Sequence, residues 1–339
     1  MKKISVYEEN KRKQRKTYRI TLYLILLIIV LSLLSLMIGN TWYSLKEVFE
    51  TIFQQQGENS FVILKLRLPR LLNGILCGIA FGLAGNTFQK LLRNPLASPD
   101  IIGVSSGASI GAIFSILVLQ LSGSSVSFIA IISGIACTTF LFLLAKKDHF
   151  SNGKLILIGI GTQAFLNAFI SYLLLKAAQY DVASALRWLS GSLNHVTLHN
   201  AISLVLPVIL IGGMICAMNR HLSLLELGDE FATTLGMKVM ISKIVMFGGA
   251  VLLIAFATSV SGPIASVAFL SGPIASRINR GNVPSMLQAG LVGAILVVFA
   301  NLIGQNVFDA RYPVGVITGI LGAPYLLYLL LQWNKKGGY

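Results

Sequence analysis

Charge is what this chain has least of. Only 12% of its 339 residues are charged, 55% are hydrophobic and the mean hydropathy is +0.78, so the apolar surface exceeds what one aqueous core can hold and a soluble globular fold is excluded. Cysteine is nearly absent as well. Cys77, Cys137 and Cys216 stand alone inside apolar stretches, which rules out a disulfide framework or a Cys-x-x-Cys metal site and leaves them as core fillers. No Gly-x-x-x-x-Gly-Lys-Ser/Thr loop is present to cradle ATP phosphates. The four histidines, His149, His195, His199 and His221, all fall between the apolar stretches. A serine-protease reading of Gly103-Val104-Ser105-Ser106-Gly107 therefore lacks its base, and the chain is expected to be no enzyme.

What is present is a series of stretches free of Asp, Glu, Lys and Arg, at 20–38, 71–89, 101–145, 155–175, 201–219, 244–276, 281–308 and 312–334. Each approaches or exceeds the roughly 20 residues that a bilayer-crossing helix needs. Two are too long for one crossing, and Ser122-Gly123-Ser124-Ser125 and Ser261-Gly262-Pro263 divide them. The expected fold is all-α with about ten transmembrane helices: a basic N-terminal segment at 1–19 and a ten-helix transmembrane domain at 20–339. The N-terminus lacks a small-x-small cleavage site before Trp42 and reads as a retained first helix.

An even number of crossings puts both basic termini, Lys2 to Arg19 and Lys335-Lys336, on one side. Alternation from a cytoplasmic N-terminus leaves seven of the 27 Lys and Arg outside (Lys46, Lys65, Arg67, Arg70, Lys176, Arg187 and Arg311), with 20 inside. This obeys the positive-inside rule and accounts for the net charge of +15 by topology and anionic lipid rather than nucleic acid. The expected location is the cytoplasmic membrane, multi-pass, with both termini cytoplasmic.

The assigned spans contain no Asp, Glu, Lys, Arg or His, although proton- and sodium-coupled carriers ordinarily place such charged groups near the midplane. Gln163 and Asn167 are candidates for a polar path. The repeated Ser-Gly-Pro-Ile-Ala-Ser at 261–266 and 271–276, with Pro263 and Pro273, is expected to break helix and be protein-buried, since lipid cannot satisfy freed backbone groups. Gly74, Gly78 and Gly82, and again Gly103, Gly107 and Gly111, recur every four residues as in close helix packing. Ser98-Pro99-Asp100 has the form of a helix start.

On the cytoplasmic side a polar insert at about 220–240 interrupts the apolar runs. Leu224, Leu227, Phe231 and Leu235 lie at spacings of three and four, so that helical winding puts them on one face while Glu226, Asp229 and Glu230 stay wet. An apolar face offered to the cytoplasm by a membrane protein suits a soluble partner.

Several motifs, in order, then resemble one family: Leu66-Arg67-Leu68-Pro69-Arg70; Gly85 through Gln89 and Arg93-Asn94-Pro95-Leu96-Ala97 with Pro99; Gly103 and Gly107-Ala108; Trp188-Leu189-Ser190-Gly191; Leu227-Gly228-Asp229-Glu230 with Ala232 and Leu235-Gly236; and Pro313 to Thr318 with Gly322-Ala323-Pro324. The chain resembles the FecCD permeases of type II ATP-binding-cassette importers for iron-siderophores, haem and cobalamin. The resemblance implies a ten-helix subunit paired with a second FecCD-like permease, two ATPase subunits that use ATP and magnesium, and a siderophore-binding lipoprotein. It implies no metal or cofactor in this chain. It further implies that Leu224, Leu227, Gly228, Asp229, Glu230, Phe231, Ala232, Leu235 and Gly236 form the coupling helices, and that an exposed Arg67–Arg70 pair docks the binding protein. The sequence departs from the family pattern at Gly272-Pro273-Ile274, where a Pro-His pair is common, at Ala300-Asn301, and at Arg311-Tyr312, so a third outer arginine is either lost or displaced to Arg311. One-sided losses of this kind suit a heterodimer. Ferric siderophore is the expected cargo, with haem or cobalamin as alternatives, and a stand-alone secondary transporter or channel as the reading from another class.

Overall fold

The computed structural model describes residues 6–54, 59–146, 152–279 and 285–335; Lys2, His149 and Lys336 lie outside them. Among the described residues every regular element is helical. Helix α1 (Val6–Met37) is followed by α2 (Leu45–Gln54), a π-helical turn at Phe61–Arg67 that runs into α3 (Leu68–Leu91), and a 3-10 turn at Pro99–Ile102. Next come α4 (Val104–Leu117), α5 (Ser124–Lys146), α6 (Asn152–Lys176), α7 (Gln179–Leu189) and α8 (Leu198–Pro207), which a π turn at Val208–Gly212 joins to α9 (Gly213–Ala217). The chain closes with α10 (Asn219–Leu227), α11 (Asp229–Thr234), α12 (Val239–Ser261), α13 (Val267–Ile278), α14 (Met286–Asn306) and α15 (Val314–Lys335).

Among the described residues seven helical stretches are long and apolar enough to cross a membrane, and three shorter apolar helices, Val104–Leu117, Val267–Ile278 and Val314–Tyr328, fall at the remaining expected segments. Both divisions of the over-long stretches fall where the Ser-Gly breaks put them. The boundary expected at 19/20 falls inside α1, which winds through the basic segment and the first span as one 32-residue helix. The Ser98 cap is also displaced: its hydroxyl accepts from the Asp100 N–H, but it caps the 3-10 turn, and the span itself starts after Gly103 at φ +78°.

Helix α3 is the hub. In its apolar window 78% of residues are buried, against 11% for Ile156–Lys176 of α6, so one helix is enclosed by this chain while the other presents its sides outward. The glycine stripe makes the enclosure possible. A Cβ on Gly78 would lie 2.5 Å from the backbone of Ala294, and one on Gly82 2.4 Å from the Ala289 carbonyl of α14. Gly107 and Gly111 admit Cys137 and Ser133 of α5 in the same way.

The two Gly-Pro pairs behave differently. Gly262, at φ +69°, ends α12, and the chain crosses to α13 through irregular backbone as expected. Pro273 instead lies inside α13, which corrects the expectation of a second break. A proline at 273 deprives the carbonyl four residues earlier of its helical donor, and Gln89 supplies the replacement, its Nε2 donating to the Phe269 carbonyl at 2.8 Å. At the first break the amide of Ser192 donates to the Ser261 carbonyl at 2.7 Å and that of Gly315 to the Gly191 carbonyl at 3.0 Å. Three separate motifs, Trp188–Gly191, Ser261–Pro263 and Pro313–Gly315, are thus tied in one knot at the ends of α7, α12 and the start of α15.

Candidate functional site

The polar insert folds as two short helices, α10 and α11, hinged at Gly228. There φ is +130° and ψ 149°, a backbone state that side-chain-bearing residues rarely adopt, so one continuous winding from 224 to 235 is replaced by a sharp turn. The turn separates the apolar residues into two sets. Leu222, Leu225 and Ala232 are fully buried against the main core. Leu227, Phe231 and Leu235 stand out at 66, 50 and 58% exposure. Leu224, expected with the outward set, is half-buried and packs on the core instead. Asp229 and Glu230 open α11, where carboxylates favour the positive end of a helix dipole, and Gly236 closes the unit at φ +80°.

Three cations hold this pair of helices to the bundle. The Arg93 guanidinium donates from Nε to the Leu225 carbonyl at 2.7 Å and from Nη2 to the Asp229 carboxylate. Lys243 of α12 pairs with the other oxygen of Asp229. Lys90, in the last turn of α3, lies 3.7 Å from the Glu226 carboxylate. None of the three was assigned a role from the sequence, although Arg93 stands in one of the family motifs. The available signal was complementary charge: a basic elbow from Lys90 to Arg93 and an acidic insert on the same side of the membrane. Asp229, expected to stay wet, is half-exposed and doubly paired.

At the opposite end the arginines are divided. Arg67 is 8% exposed, which corrects the expectation of an exposed pair. Its guanidinium donates to the carbonyls of Leu36 (2.7 Å), Met37 (2.9 Å) and Thr41 (2.7 Å) and lies 4.7 Å over the Tyr43 ring. It therefore caps the carbonyl end of α1 and fastens it to α3. Arg67→Met is expected to leave three carbonyls short of a donor and to cost roughly 2–4 kcal/mol; a melting temperature in detergent equal to wild type would contradict this role.

Arg70 is half-buried and bonds the Leu193 carbonyl (3.4 Å) and the Gln305 side chain (3.1 Å), while Arg311 is exposed. The three arginines line one cavity of about 270 Å³ together with Asn40, Asn301 and Gln305, and among the described residues no carboxylate lines it.

The four path candidates are not gathered. Gln163 and Asn167 lie on the poorly covered α6, half-buried and exposed respectively. Pro263 and Pro273 are half-buried in the α12–α13 break and in α13. None of them lines the arginine cavity or a second, open cavity of about 750 Å³ bounded by Gln120, Asp181, Arg187, Trp188, His195 and Ser261. Ser105, the imagined nucleophile, donates its hydroxyl to Asp100 at 2.6 Å. Burial pushes the Asp100 carboxyl above its usual range, against the hydrogen bonds from Ser105 and Ser98. Among the described residues no group of three His, Cys, Asp or Glu side chains could hold a metal ion.

The arrangement of ten apolar segments, a braced pair of short helices at one end and an arginine cavity at the other has close counterparts. The model of the FecCD transport family matches residues 26–332. The ferric enterobactin transport system permease protein FepG of Escherichia coli is 38% identical over 82% of this chain and 84% of its own. The Fe(3+)-citrate import system permease protein YfmE of Bacillus subtilis is 32% identical over 96% and 98%. Among solved structures, an inward-facing metal-chelate type ABC transporter superposes with a TM-score of 0.81 at 26% identity, covering 93% of this chain and 99% of that one. Sequence and backbone agree over almost the entire length, and the chain belongs to the FecCD transport family, as a multi-pass membrane permease subunit of the ABC-transporter kind.

Proposed function

We propose that this subunit carries ferric siderophore across the cytoplasmic membrane, with energy from a separate ATPase that grips the exposed face of Leu227, Phe231 and Leu235. The observation that carries the reading is that face. Three large apolar side chains stand at half exposure or more on a unit fixed to the bundle by ion pairs, and a rigid apolar patch of this kind suits a protein partner rather than water. ATP closure of the partner would move α10 and α11, and the permease halves would tilt to open the path to one side and then the other. Both termini and the insert then face the cytoplasm, and α6, with Gln163 and Asn167 among its outward residues, faces the second permease and the path. A different second permease would restore the polar contacts this chain lacks at Asn301 and Arg311.

Iron arrives already chelated, so the subunit supplies hydrogen-bonding surface rather than metal ligands. The cargo follows from the ferric chelates for which the relatives are named. The docking role moves from Arg67 to Arg70 and Arg311 around the arginine cavity, which no carboxylate of the described residues lines and whose cations would receive acidic side chains of a binding lipoprotein.

The test is reconstitution: the subunit with its ATPase, companion permease and binding protein should import a ferric siderophore only with hydrolysable ATP. Uphill transport by this chain alone would return it to the stand-alone class, and import of haem or cobalamin instead would change the cargo. In the same system Arg311→Glu should weaken binding-protein affinity about five- to tenfold at low salt and less at high salt, leaving ATPase association intact; unchanged affinity at low salt removes the docking assignment.

A further inference from the structure

In the proposed function the Lys90–Glu226 pair only fixes α10 to the bundle, yet Lys90 is a buried cation. Its residue is 4% exposed, its Nζ makes no hydrogen bond among the described residues, and its counter-charge is Glu226, 3.7 Å away on a different element. An ammonium so placed is poorly compensated, and burying it is unfavourable unless the geometry has another use.

Its position suggests one. Lys90 ends α3, the helix whose glycines lie directly against the backbones of α13 and α14. Glu226 lies on α10, one residue before the exposed Leu227. Nearby, Arg93 takes φ +50° and bonds both the Leu225 carbonyl and Asp229, and Lys243 brings α12 to the same carboxylate. Every one of these bonds joins the short-helix pair to a bundle helix or to the elbow that follows one. We propose that Lys90 is a positioning residue for energy coupling: the Lys90–Glu226 pair, backed by Arg93–Asp229–Lys243, makes α10 and α11 rigid with α3, so that displacement of the short helices becomes displacement of the bundle's hub.

The inference rests on the reading of Leu227, Phe231 and Leu235 as the ATPase-docking face, and the experiment separates the two. Glu226 is exposed while Lys90 is buried, so removing Glu226 alone leaves the ammonium uncompensated, whereas removing both charges is close to neutral for folding. In the reconstituted transporter, Lys90→Met combined with Glu226→Gln is therefore expected to keep the ATPase bound and hydrolysing, while cargo imported per ATP falls about fivefold or more. The exchange Lys90→Glu with Glu226→Lys should recover part of that ratio. Glu226→Asp, which keeps the charge and lengthens the gap, should lower the ratio with little effect on assembly.

A double neutral variant with the wild-type ratio would reduce the pair to a packing detail, and so would Glu226→Asp with no change in the ratio. If the wild-type subunit retains no ATPase, the docking reading itself fails and the strut fails with it. If the ATPase stays bound and the ratio does not move in any variant, the strut alone fails.

Discussion

Phe231→Glu should release the ATPase and abolish uptake while leaving the subunit folded in the membrane. Phe231 is 50% exposed on α11, beside Leu227 and Leu235, and it contributes little to the core. A carboxylate there would meet water in the isolated chain at little cost. In the assembly it would be desolvated against an apolar partner, which buries an unpaired charge at the centre of the contact. A loss of about 2–3 kcal/mol, or roughly 30- to 150-fold in association, is expected for a central anchor of this kind. Leu227→Glu should act alike, because the turn at Gly228 puts both side chains outward although they belong to different helices. Ala232→Glu separates the surfaces: Ala232 is fully buried, so this change should lower the yield of folded subunit rather than its partner affinity. Normal co-purification of the ATPase with the Phe231 variant, together with normal uptake, would mean that this face is not where force enters.

How much of this was legible in the sequence differs from element to element. The ten apolar segments were visible because lipid-facing helices must exclude charge over their whole length, a pattern that one chain displays without help. The division at Ser261-Gly262-Pro263 was visible for the same reason, since a Gly-Pro pair at a helix end punctuates. The identical pair at Gly272-Pro273 carried the same local signal with the opposite outcome: the carbonyl it leaves unpaired is satisfied by Gln89, some 180 positions away, and only tertiary structure brings that donor to hand. Arg67 departed from the exposed pair by the same logic. Its spacing from Arg70 said where the two side chains start, while the carbonyls at the end of α1 decided where one of them finishes. The short-helix pair was legible as an amphipathic insert, but its brace was not, because Lys90, Arg93 and Lys243 read as ordinary positive charge at the ends of spans until their partners are placed beside them.

The glycines of α3 were read correctly as close packing, and the packing is specific enough to rank substitutions in advance. A Cβ on Gly85 would fall 1.8 Å from the Ala268 carbonyl oxygen, and one on Gly82 2.4 Å from that of Ala289. Both obstacles are backbone of packed helices, which cannot rotate away as a side chain can, so Gly85→Ala is expected to force α3 and α13 apart at a cost of about 3 kcal/mol or more. Gly74→Ala should be mild, because its nearest obstacle is the end of the Leu193 side chain at 3.3 Å, which can move. Gly161→Ala, on α6 with nothing within 4 Å of the new methyl, should raise stability slightly, since alanine favours helix over glycine by about 1 kcal/mol. Melting temperatures of the four variants in detergent should therefore order as Gly161, Gly74, Gly82 and Gly85, from highest to lowest. Intrinsic helix propensity alone predicts that all four rise together, because alanine is the better helix former at every one. If Gly85→Ala melts as high as Gly161→Ala, α3 is not clamped between α13 and α14, and a helix free to slide there could not transmit a displacement from the short helices to the rest of the bundle.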